Sequence, residues 1–322
     1  MRSYRDELAT LSEAYAVALA ADVDDRVLRP APWPLLAVGS GGSGTVARYI
    51  ADIHRLASGA VTAPLSPLGV VRSPPPPRGT RVVLVSAAGS NTDILAAWER
   101  VATWVGTEVV VLCGEPDSEL AHAVRSAGES LILLDRYGEE SFVACASQLV
   151  PSVITAKAVG ADLPRRYEDL IGPVRGDIAS LGELWGREVL VALHGAEGSA
   201  AASGLESNFT EAALGTVSRC DFRDLAHGRY LWLERQGART GMVTLESEID
   251  RSLADRTVDL VPDRIPRGRV RLTGQGPVAG LQALAAVLEM TADAGEERGI
   301  DPAQPGKDLF GPALYDLELP GP

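Results

Sequence analysis

The chain alternates short apolar runs with segments whose apolar positions recur at helical spacing. Apolar runs of strand length lie at residues 35–38, 81–85, 109–113 and 131–135. Runs this short and this apolar are typical of strands buried on both faces of a parallel sheet. The helices predicted before and between them cover residues 4–22, 45–56, 93–105 and 120–127. The alternation predicts a doubly wound α/β fold, and we expect the first helix to cover one face of its sheet.

The same alternation restarts after Pro164. The predicted strands there are residues 188–193, 242–245 and 270–272, and the predicted helices are residues 174–184, 201–214 and 277–296. The sequence therefore predicts an α/β fold of two doubly wound parallel-sheet halves, each a three-layer αβα sandwich, with domains at 1–165 and 166–322. Residues 141–161 predict a long apolar helix that Pro151 kinks or splits. Core packing is the favoured interpretation of this helix, and a crossover or dimer contact is the alternative.

A Gly/Ser loop at residues 39–44 follows the first predicted strand and precedes a predicted helix. Its letters GSGGSG match G-x-G-x-x-G, which binds dinucleotides when an acidic residue stands about 20 positions further on. Residues 58–69 contain no acidic residue, so NAD binding is a minor alternative. The backbone N–H groups of this helix N-terminus, with the hydroxyls of Ser40 and Ser43, instead suit an anionic group.

A second polar loop, residues 86–92, connects the strand at 81–85 to the next helix. Its candidate ligand-binding side chains are Ser86, Ser90, Asn91 and Thr92. These residue types also favour helix N-caps, but capping alone would use only one of them. Because open α/β sheets bind ligands at the carboxyl ends of their strands, the two loops together predict a binding site for a small molecule.

Composition and charge restrict the class of partner. The net charge of −13 repels phosphate backbones and anionic lipids, so we expect neither nucleic acid nor membrane as a partner. Three cysteines without CxxC spacing predict reduced thiols and a cytoplasmic protein. The charged N-terminus does not resemble a signal peptide, and the apolar runs are too short to cross a bilayer. The four histidines lack metal-ligand spacing, and no cofactor is expected.

The two loops resemble the phosphosugar-binding loops of the sugar isomerase (SIS) domain family. The resemblance is carried by the strand, Gly/Ser loop and helix at residues 35–50 and by the letters VLVSAAGSNTD at residues 83–93. The family's second loop usually has the pattern S-x-S-G-x-T-x-D. This chain keeps Ser86, Gly89 and Asp93 of that pattern but has Ala88 and Asn91 in place of the usual serine and threonine. The resemblance implies a sugar or sugar phosphate as the small-molecule partner.

Residues 205–232 resemble the acid-base region of the isomerase domain of glucosamine-6-phosphate synthase. In that domain a helical glutamate precedes the histidine of an H-G-P motif by 16 positions. Here Glu211 precedes His227, in the letters HGR, by the same interval. The resemblance implies that Glu211 moves a proton between C1 and C2 of an open-chain sugar and that His227 assists ring opening. The family's helical lysine aligns with Asn208. Apart from the resemblance, a glutamate and a histidine are sufficient for such proton transfers, with no metal.

Two further residues are candidates around this pair. The guanidinium of Arg229 could hold a phosphate or a sugar acid, or pair with an acidic neighbour. Lys307 lies in a C-terminal segment where some family members place a lysine over the substrate, so the resemblance makes it a third catalytic candidate. In related isomerases the histidine comes from a neighbouring subunit, which implies a homodimer.

These observations favour an aldose-ketose isomerase that acts on a phosphorylated or amino sugar. One alternative is a non-catalytic protein that senses a sugar phosphate, although no helix-turn-helix segment accompanies the fold and the charge does not suit DNA. Another alternative is a deglycase or lyase acting on a sugar phosphate, because cleavage can begin with the same ring opening and proton abstraction.

Overall fold

The computed structural model describes residues 2–23, 28–134, 137–306, 311–315, 317 and 319. The strands are β1 (Leu35–Val38), β2 (Thr62–Leu65), β3 (Arg81–Ser86), β4 (Glu108–Cys113), β5 (Ser130–Leu133), β6 (Val189–His194), β7 (Thr216–Asp221), β8 (Thr240–Glu246) and β9 (Arg267–Arg271). The helices are α1 (Tyr4–Ala9), α2 (Leu11–Ala20), α3 (Gly41–Ser58), α4 (Pro67–Val71), α5 (Thr92–Ala102), α6 (Glu119–Ala127), α7 (Ala146–Ala158), α8 (Tyr167–Ala179), α9 (Gly182–Trp185), α10 (Ser199–Glu211), α11 (Tyr230–Gln236), α12 (Arg251–Leu260), α13 (Pro277–Arg298) and α14 (Gly311–Tyr315). None of these described helices is long and apolar enough to cross a membrane.

The chain forms two compact units, each built around one sheet. The five-stranded unit comprises Val17–Glu139, Ala146–Ala161 and Gly306–Pro322, and the four-stranded unit comprises Met1–Ala16, Glu140–Cys145 and Asp162–Pro305. The chain therefore passes between the units more than once. The simple division into 1–165 and 166–322 stays a prediction.

The five-stranded sheet has the order β2-β1-β3-β4-β5, and all its pairs are parallel. Its core contains the almost fully buried side chains of Val82, Leu84, Val109 and Val111, against which Trp98 of α5 packs. Each such side chain contributes about 1.5–3 kcal/mol to folding through removal of apolar surface from water. The predicted α/β class with parallel sheets is confirmed here.

The four-stranded sheet has the order β7-β6-β8-β9 and is also entirely parallel. The 22-residue helix α13 is buried along most of its length and packs against α8, α9 and α10. It begins with Pro277, and proline is tolerated there because an N–H at the first helical position would have no intrahelical acceptor. Gly299, in the left-handed conformation, caps its C-terminal end. This helix is the central element of the unit.

Several boundaries differ from the sequence prediction. The helix predicted at residues 4–22 is two helices. The first, α1, packs against α13 of the four-stranded unit, so for α1 the expectation that this segment covers the first sheet is wrong. Arg5 on α1 anchors it there, because its guanidinium pairs with Glu296 and Asp293. The predicted long helix is α7, which runs through Pro151 without interruption. Eleven of its thirteen residues are buried, so α7 is a core element, as favoured.

Candidate functional site

The two polar loops lie side by side at the carboxyl edge of the five-stranded sheet. Strands β1 and β3 are neighbours, and Val38 near the end of β1 pairs with Leu84 near the end of β3. The chain continues from β1 to β2 on one side and from β3 to β4 on the other. The strand order reverses at this point, and doubly wound sheets place their ligands in the crevice that results.

The first loop is shorter than predicted. Helix α3 begins at Gly41, so Ser43 and Gly44 lie in its first turn and the loop itself is only Gly39 and Ser40. Gly41 has a φ of 51°, a left-handed value that glycine adopts without strain, which allows the helix to start immediately after the strand. A side chain at Gly39 would collide with the backbone carbonyl of Ser43. Glycine is therefore required where the loop turns closely over the helix.

The hydroxyls of this first loop are available at a helix N-terminus. Ser40 is the N-cap residue of α3, it is exposed, and within the described part of the chain its side chain makes no capping hydrogen bond. Ser43 is half-buried in the first turn. Free N–H groups and the positive end of an 18-residue helix favour an anion here.

The second loop uses two of its predicted binding side chains for its own structure. The Ser86 hydroxyl accepts a hydrogen bond from the N–H of Gly89 at 3.0 Å. The Asn91 side-chain oxygen accepts from the N–H of Asp93 at 2.8 Å and so caps α5. Each keeps a donor, the Ser86 O–H and the Asn91 NH₂, for a ligand. Ser90 is exposed at the tip, and the Thr92 hydroxyl donates to the carbonyl of Leu317 at 3.3 Å.

Gly89 fixes the second loop against the neighbouring strand. Its φ is 65°, and a side chain there would collide with the Ser118 hydroxyl and would lie 2.7 Å from the Cys113 sulfur. The Gly89 carbonyl accepts from the N–H of Leu120 at 3.0 Å. These contacts hold the loop in one position, which lowers the entropy lost when a ligand binds.

A cleft continues this edge of the sheet beyond the two loops. It has a volume of about 460 Å³ and is lined by Gly114, Glu115, Leu134 and Glu139, among others. The Glu139 carboxylate is buried and accepts hydrogen bonds from the backbone N–H and the hydroxyl of Ser147 at the start of α7. The sequence analysis does not identify these residues, although Gly114 directly follows a predicted strand.

Glu211 is the last residue of α10. Its carboxylate accepts a hydrogen bond from the Ser207 hydroxyl one turn earlier. Burial raises the pKa of Glu211, the Ser207 hydrogen bond opposes this rise, and the nearby charge of Glu206 adds to it. A carboxyl group with a raised pKa holds and releases a proton more readily near neutral pH than an exposed one does.

His227 and Arg229 lie in the exposed segment that follows β7. A 3₁₀ turn at Asp224–Ala226 comes first, and His227 and Arg229 are both exposed after it. The Asp221 carboxylate accepts from the N–H groups of Arg223 and Asp224 at 2.7 and 2.8 Å. These two hydrogen bonds fix where the segment leaves the sheet.

The four-stranded unit does not bring Glu211 and His227 together. Glu211 precedes the first residue of β7, and Gly215, in the same connection, lies against the carbonyl of Glu188 at the amino edge of the sheet. His227 follows the last residue of β7 at the carboxyl edge. A six-residue strand is about 20 Å long, so the two side chains belong to opposite edges of the sheet.

Asn208 and Lys307 are the two remaining positions that the family resemblance singles out. Asn208, which aligns with the family's lysine, is fully buried and donates to the Thr291 hydroxyl at 3.2 Å. It therefore belongs to the contact between α10 and α13. Lys307 lies outside the described residues, and its catalytic role stays a prediction.

The carboxyl edge of the four-stranded sheet has different chemistry. His194 ends β6, is buried, and lies opposite Asp221 of β7 in the register. Backbone hydrogen bonds and the nearby His194 lower the pKa of Asp221.

Glu246 ends β8, is fully buried, and pairs with Arg269 at 2.5 Å. Glu197 and Glu248 stand in the loops of the same edge and bond to Gly276 and Gln275.

The two parallel sheets define a doubly wound α/β protein, with a polar crevice at the strand reversal of the five-stranded sheet. Neither a protein-family model nor a curated protein sequence matches the chain. Solved structures do match. Tagatose-6-phosphate ketose/aldose isomerase from Escherichia coli is 12% identical with a TM-score of 0.73, over 95% of each chain.

Two further structures show the same similarity. The C-terminal domain of glucosamine-fructose-6-phosphate aminotransferase from Francisella tularensis is 13% identical with a TM-score of 0.70, over 94% of this chain and 99% of that one. Glucosamine-6-phosphate deaminase from Thermotoga maritima is 16% identical with a TM-score of 0.68, over 93% of this chain and 96% of that one. The chain therefore has the fold of the sugar isomerase domain proteins, and the resemblance predicted from its loops is confirmed at the level of the fold.

Proposed function

We propose that this protein binds a sugar phosphate at the carboxyl edge of the five-stranded sheet and acts on it as an aldose-ketose isomerase. The observation that carries the proposal is the pairing of two polar loops at the β1/β3 reversal. One loop offers a helix N-terminus with the hydroxyls of Ser40 and Ser43, and the other offers donors from Ser86, Ser90, Asn91 and Thr92. Donors of this kind suit the oxygens of a phosphate or of a sugar.

The catalytic roles in this proposal rest on sequence resemblance and on the environment of Glu211. Glu211 would transfer the proton between C1 and C2, since burial raises the pKa of its carboxyl group. His227 would act on the ring oxygen, with Arg229 beside it holding an anionic substituent. Because Glu211 and His227 lie at opposite edges of one sheet, the histidine would be supplied by the second subunit of a homodimer.

The proposal includes a cytoplasmic location and a repeated architecture. All three cysteines are buried thiols that form no disulfide, which suits a reducing compartment. The strand orders β2-β1-β3-β4 and β7-β6-β8-β9 follow the same rule along the chain, which supports the interpretation of the protein as two similar αβα halves.

The burial of Asn208 favours a second candidate function. This position would carry a charged lysine in the synthase isomerase domain, but here its amide is fixed inside the core. A protein that has lost this cation can still bind a sugar phosphate through its loops. A non-catalytic sugar-phosphate-binding protein is therefore the alternative. Cleavage by a deglycase or lyase would use the same Glu211 as the isomerase.

An exchange experiment in deuterated water tests the proposal. The protein is incubated with hexose, hexosamine and pentose phosphates, and deuterium incorporation at C2 is followed by proton NMR. Wild-type protein is expected to catalyse exchange with at least one phosphosugar, and Glu211→Gln to slow it at least about 100-fold, as expected for removal of an acid-base group. Glu183→Gln, at an exposed glutamate of the same unit, is the matched control and should keep most of the activity.

Three outcomes have distinct meanings. Exchange at the wild-type rate in Glu211→Gln would rule out the proposed base. Binding of a phosphosugar without any exchange by the wild-type protein would select the non-catalytic alternative. Exchange accompanied by loss of the sugar substituent would select the lyase.

A further inference from the structure

An apolar pocket opens on the four-stranded unit, whereas the two polar loops belong to the five-stranded unit. The pocket has a volume of about 380 Å³ and lies between the segment that follows β7 and the end of α12. This volume is near the lower end of the range of about 300–1,000 Å³ that small-molecule sites occupy. Because Arg223 lines it, we call it the Arg223 pocket.

The floor of the Arg223 pocket is a fixed part of the core. The side chains of Phe222, Leu225, Leu233 and Ile265 line it, are at most 6% exposed, and belong to the hydrophobic cluster of this unit. A β-carbon at Gly237 would lie 2.8 Å from the Cγ1 atom of Ile265, so this side chain is closely packed from behind. The floor is therefore preformed, and its chemistry suits an aliphatic or aromatic group.

Two opposite charges line the same pocket without pairing. Arg223 and Glu234 are both exposed there, and within the part of the chain that the structure describes neither forms a salt bridge. The backbone N–H of Arg223 donates to the Asp221 carboxylate at 2.7 Å, which fixes the start of this segment. The Thr257 hydroxyl donates to the carbonyl of Leu253 and keeps lone pairs to accept from a ligand. The pocket thus offers both charges above an apolar floor.

These charges decide which kind of apolar molecule fits. A neutral ligand would take Arg223 and Glu234 partly out of water without giving either a counter-ion, which costs free energy. A fatty acid would pair with Arg223 but bring its carboxylate toward Glu234, and an alkylamine would repel Arg223 in the same way. A molecule that joins an apolar body to both an ammonium and a carboxylate pairs with both side chains.

We propose that the Arg223 pocket binds a free α-amino acid with a large apolar side chain, of the phenylalanine or leucine type. The apolar side chain packs on Phe222 and Leu233, the carboxylate pairs with Arg223, and the ammonium pairs with Glu234. The volume of the pocket favours a single amino acid over a peptide. This site is separate from the loops proposed to bind the sugar phosphate, and the proposal does not depend on an isomerase activity.

Calorimetric titration of the full chain with L-phenylalanine tests the site. A dissociation constant of about 0.1–1 mM is expected for a ligand of this size. Three analogues each remove one feature: 3-phenylpropanoate lacks the ammonium, phenethylamine lacks the carboxylate, and L-alanine lacks the large side chain. Each analogue should bind at least about tenfold more weakly than L-phenylalanine.

Variants of the lining residues locate the binding. Arg223→Gln and Glu234→Gln each remove one counter-ion and should weaken binding of L-phenylalanine about tenfold. Ala226→Phe fills the pocket from its exposed rim and should abolish binding. Arg235→Gln and Glu183→Gln are the matched controls, because they neutralise exposed residues of the same unit outside the pocket lining. Both controls should bind like wild type, and circular dichroism and the melting temperature show that each variant is folded.

Three results would overturn the proposal. The first is the absence of saturable binding of L-phenylalanine, L-leucine and L-tryptophan up to about 10 mM. The second is binding that Ala226→Phe leaves unchanged, which would place the amino acid elsewhere. The third is an analogue without the ammonium or without the carboxylate that binds as tightly as L-phenylalanine, which would assign the pocket to an apolar anion or amine. Weaker binding in Arg223→Gln, Glu234→Gln and Ala226→Phe, with both controls unchanged, would support it.

Discussion

The carboxyl edges of the two sheets have the same architecture and opposite chemistry. At the reversal point of the five-stranded sheet, the loops after β1 and β3 present Gly39, Ser40 and the segment 86–91, none of which is charged. At the reversal point of the four-stranded sheet, the corresponding strands end in His194 and Glu246, with Asp221 beside them. An anionic ligand is attracted to helix N–H groups but repelled by carboxylates. The comparison shows that the fold supplies the place for a ligand and the loops decide which ligand it is.

The largest expected effect comes from a substitution at Gly89, which fixes the second loop at the carboxyl edge of the five-stranded sheet. Gly89→Ala should destabilise the protein by about 2–4 kcal/mol, because its β-carbon collides with Ser118 and Cys113 and its φ of 65° strains any other residue. Gly128→Ala is the control. Gly128 also has a positive φ, of 73°, but its β-carbon would meet nothing among the described residues, so it should cost only about 1–2 kcal/mol.

Urea denaturation measures both changes. If the m value stays the same, the shift of the denaturation midpoint gives the change in the free energy of unfolding. The Gly89 variant should also lose affinity for the sugar phosphate, since the loop can no longer hold Ser86 and Asn91 in place. Equal destabilisation by the two variants would show that the contacts of Gly89 with Ser118 and Cys113 do not fix the second loop.

A charge placed at one edge and not at the other sharpens the comparison. Ser90 is exposed in the loop after β3, and Ala196 is exposed in the loop after β6. Ser90→Asp should weaken sugar-phosphate binding at least about tenfold, since a carboxylate near a phosphate costs about 1–4 kcal/mol at the surface. Ala196→Asp should change the affinity little. Calorimetric titration of both variants with the sugar phosphate measures the two affinities. An equal loss of affinity in both variants would mean that the ligand does not bind specifically at the edge of the five-stranded sheet.

The smallest expected effect is a pH-dependent change in the free energy of unfolding when Glu211 is replaced. The pKa of the folded Glu211 is raised above its ordinary value of 4.5 by burial, so its contribution to stability is full below the unfolded pKa and is lost as the pH rises through the folded pKa. Glu211→Gln should therefore be more stable than wild type by about 0.5–1 kcal/mol at pH 8 and no more stable near pH 4. Urea unfolding at both pH values measures this. If the variant is less stable than wild type at pH 8, interactions such as the Ser207 hydrogen bond fully offset the cost of burying the Glu211 carboxylate.

The sequence predicts all the central strands and two of the four edge strands, β5 and β9. The central strands β3 and β4 are continuous apolar runs and the edge strand β5 is largely apolar, whereas the two strands missed, β2 and β7, are edge strands of mixed composition. β2 contains Pro64, which an edge strand tolerates because one of its sides needs no N–H donor. β7 alternates polar and apolar residues through Ser218 and Arg219. Edge strands bury less surface, so their sequences carry a weaker apolar signal.

The candidate site is only partly predictable for a different reason. The positions of Ser40, Ser86 and Ser90 follow from the strand-loop-helix pattern, because the carboxyl ends of neighbouring parallel strands must meet at one edge. The spacing of Glu211 and His227 gives no information about edges, because the sequence analysis does not predict β7, whose six residues lie between them. The cleft beside Glu139 depends on the return of the chain at α7, which no local pattern contains.

The most direct test of the central claim is an NMR titration of the amide-labelled protein with a sugar phosphate. The account predicts shifts at Gly39, Ser40, Gly89 and Ser90, at the edge of the five-stranded sheet, and none at the loop of residues 195–198 after β6. Shifts at that second loop, or shifts with the unphosphorylated sugar alone, would contradict it.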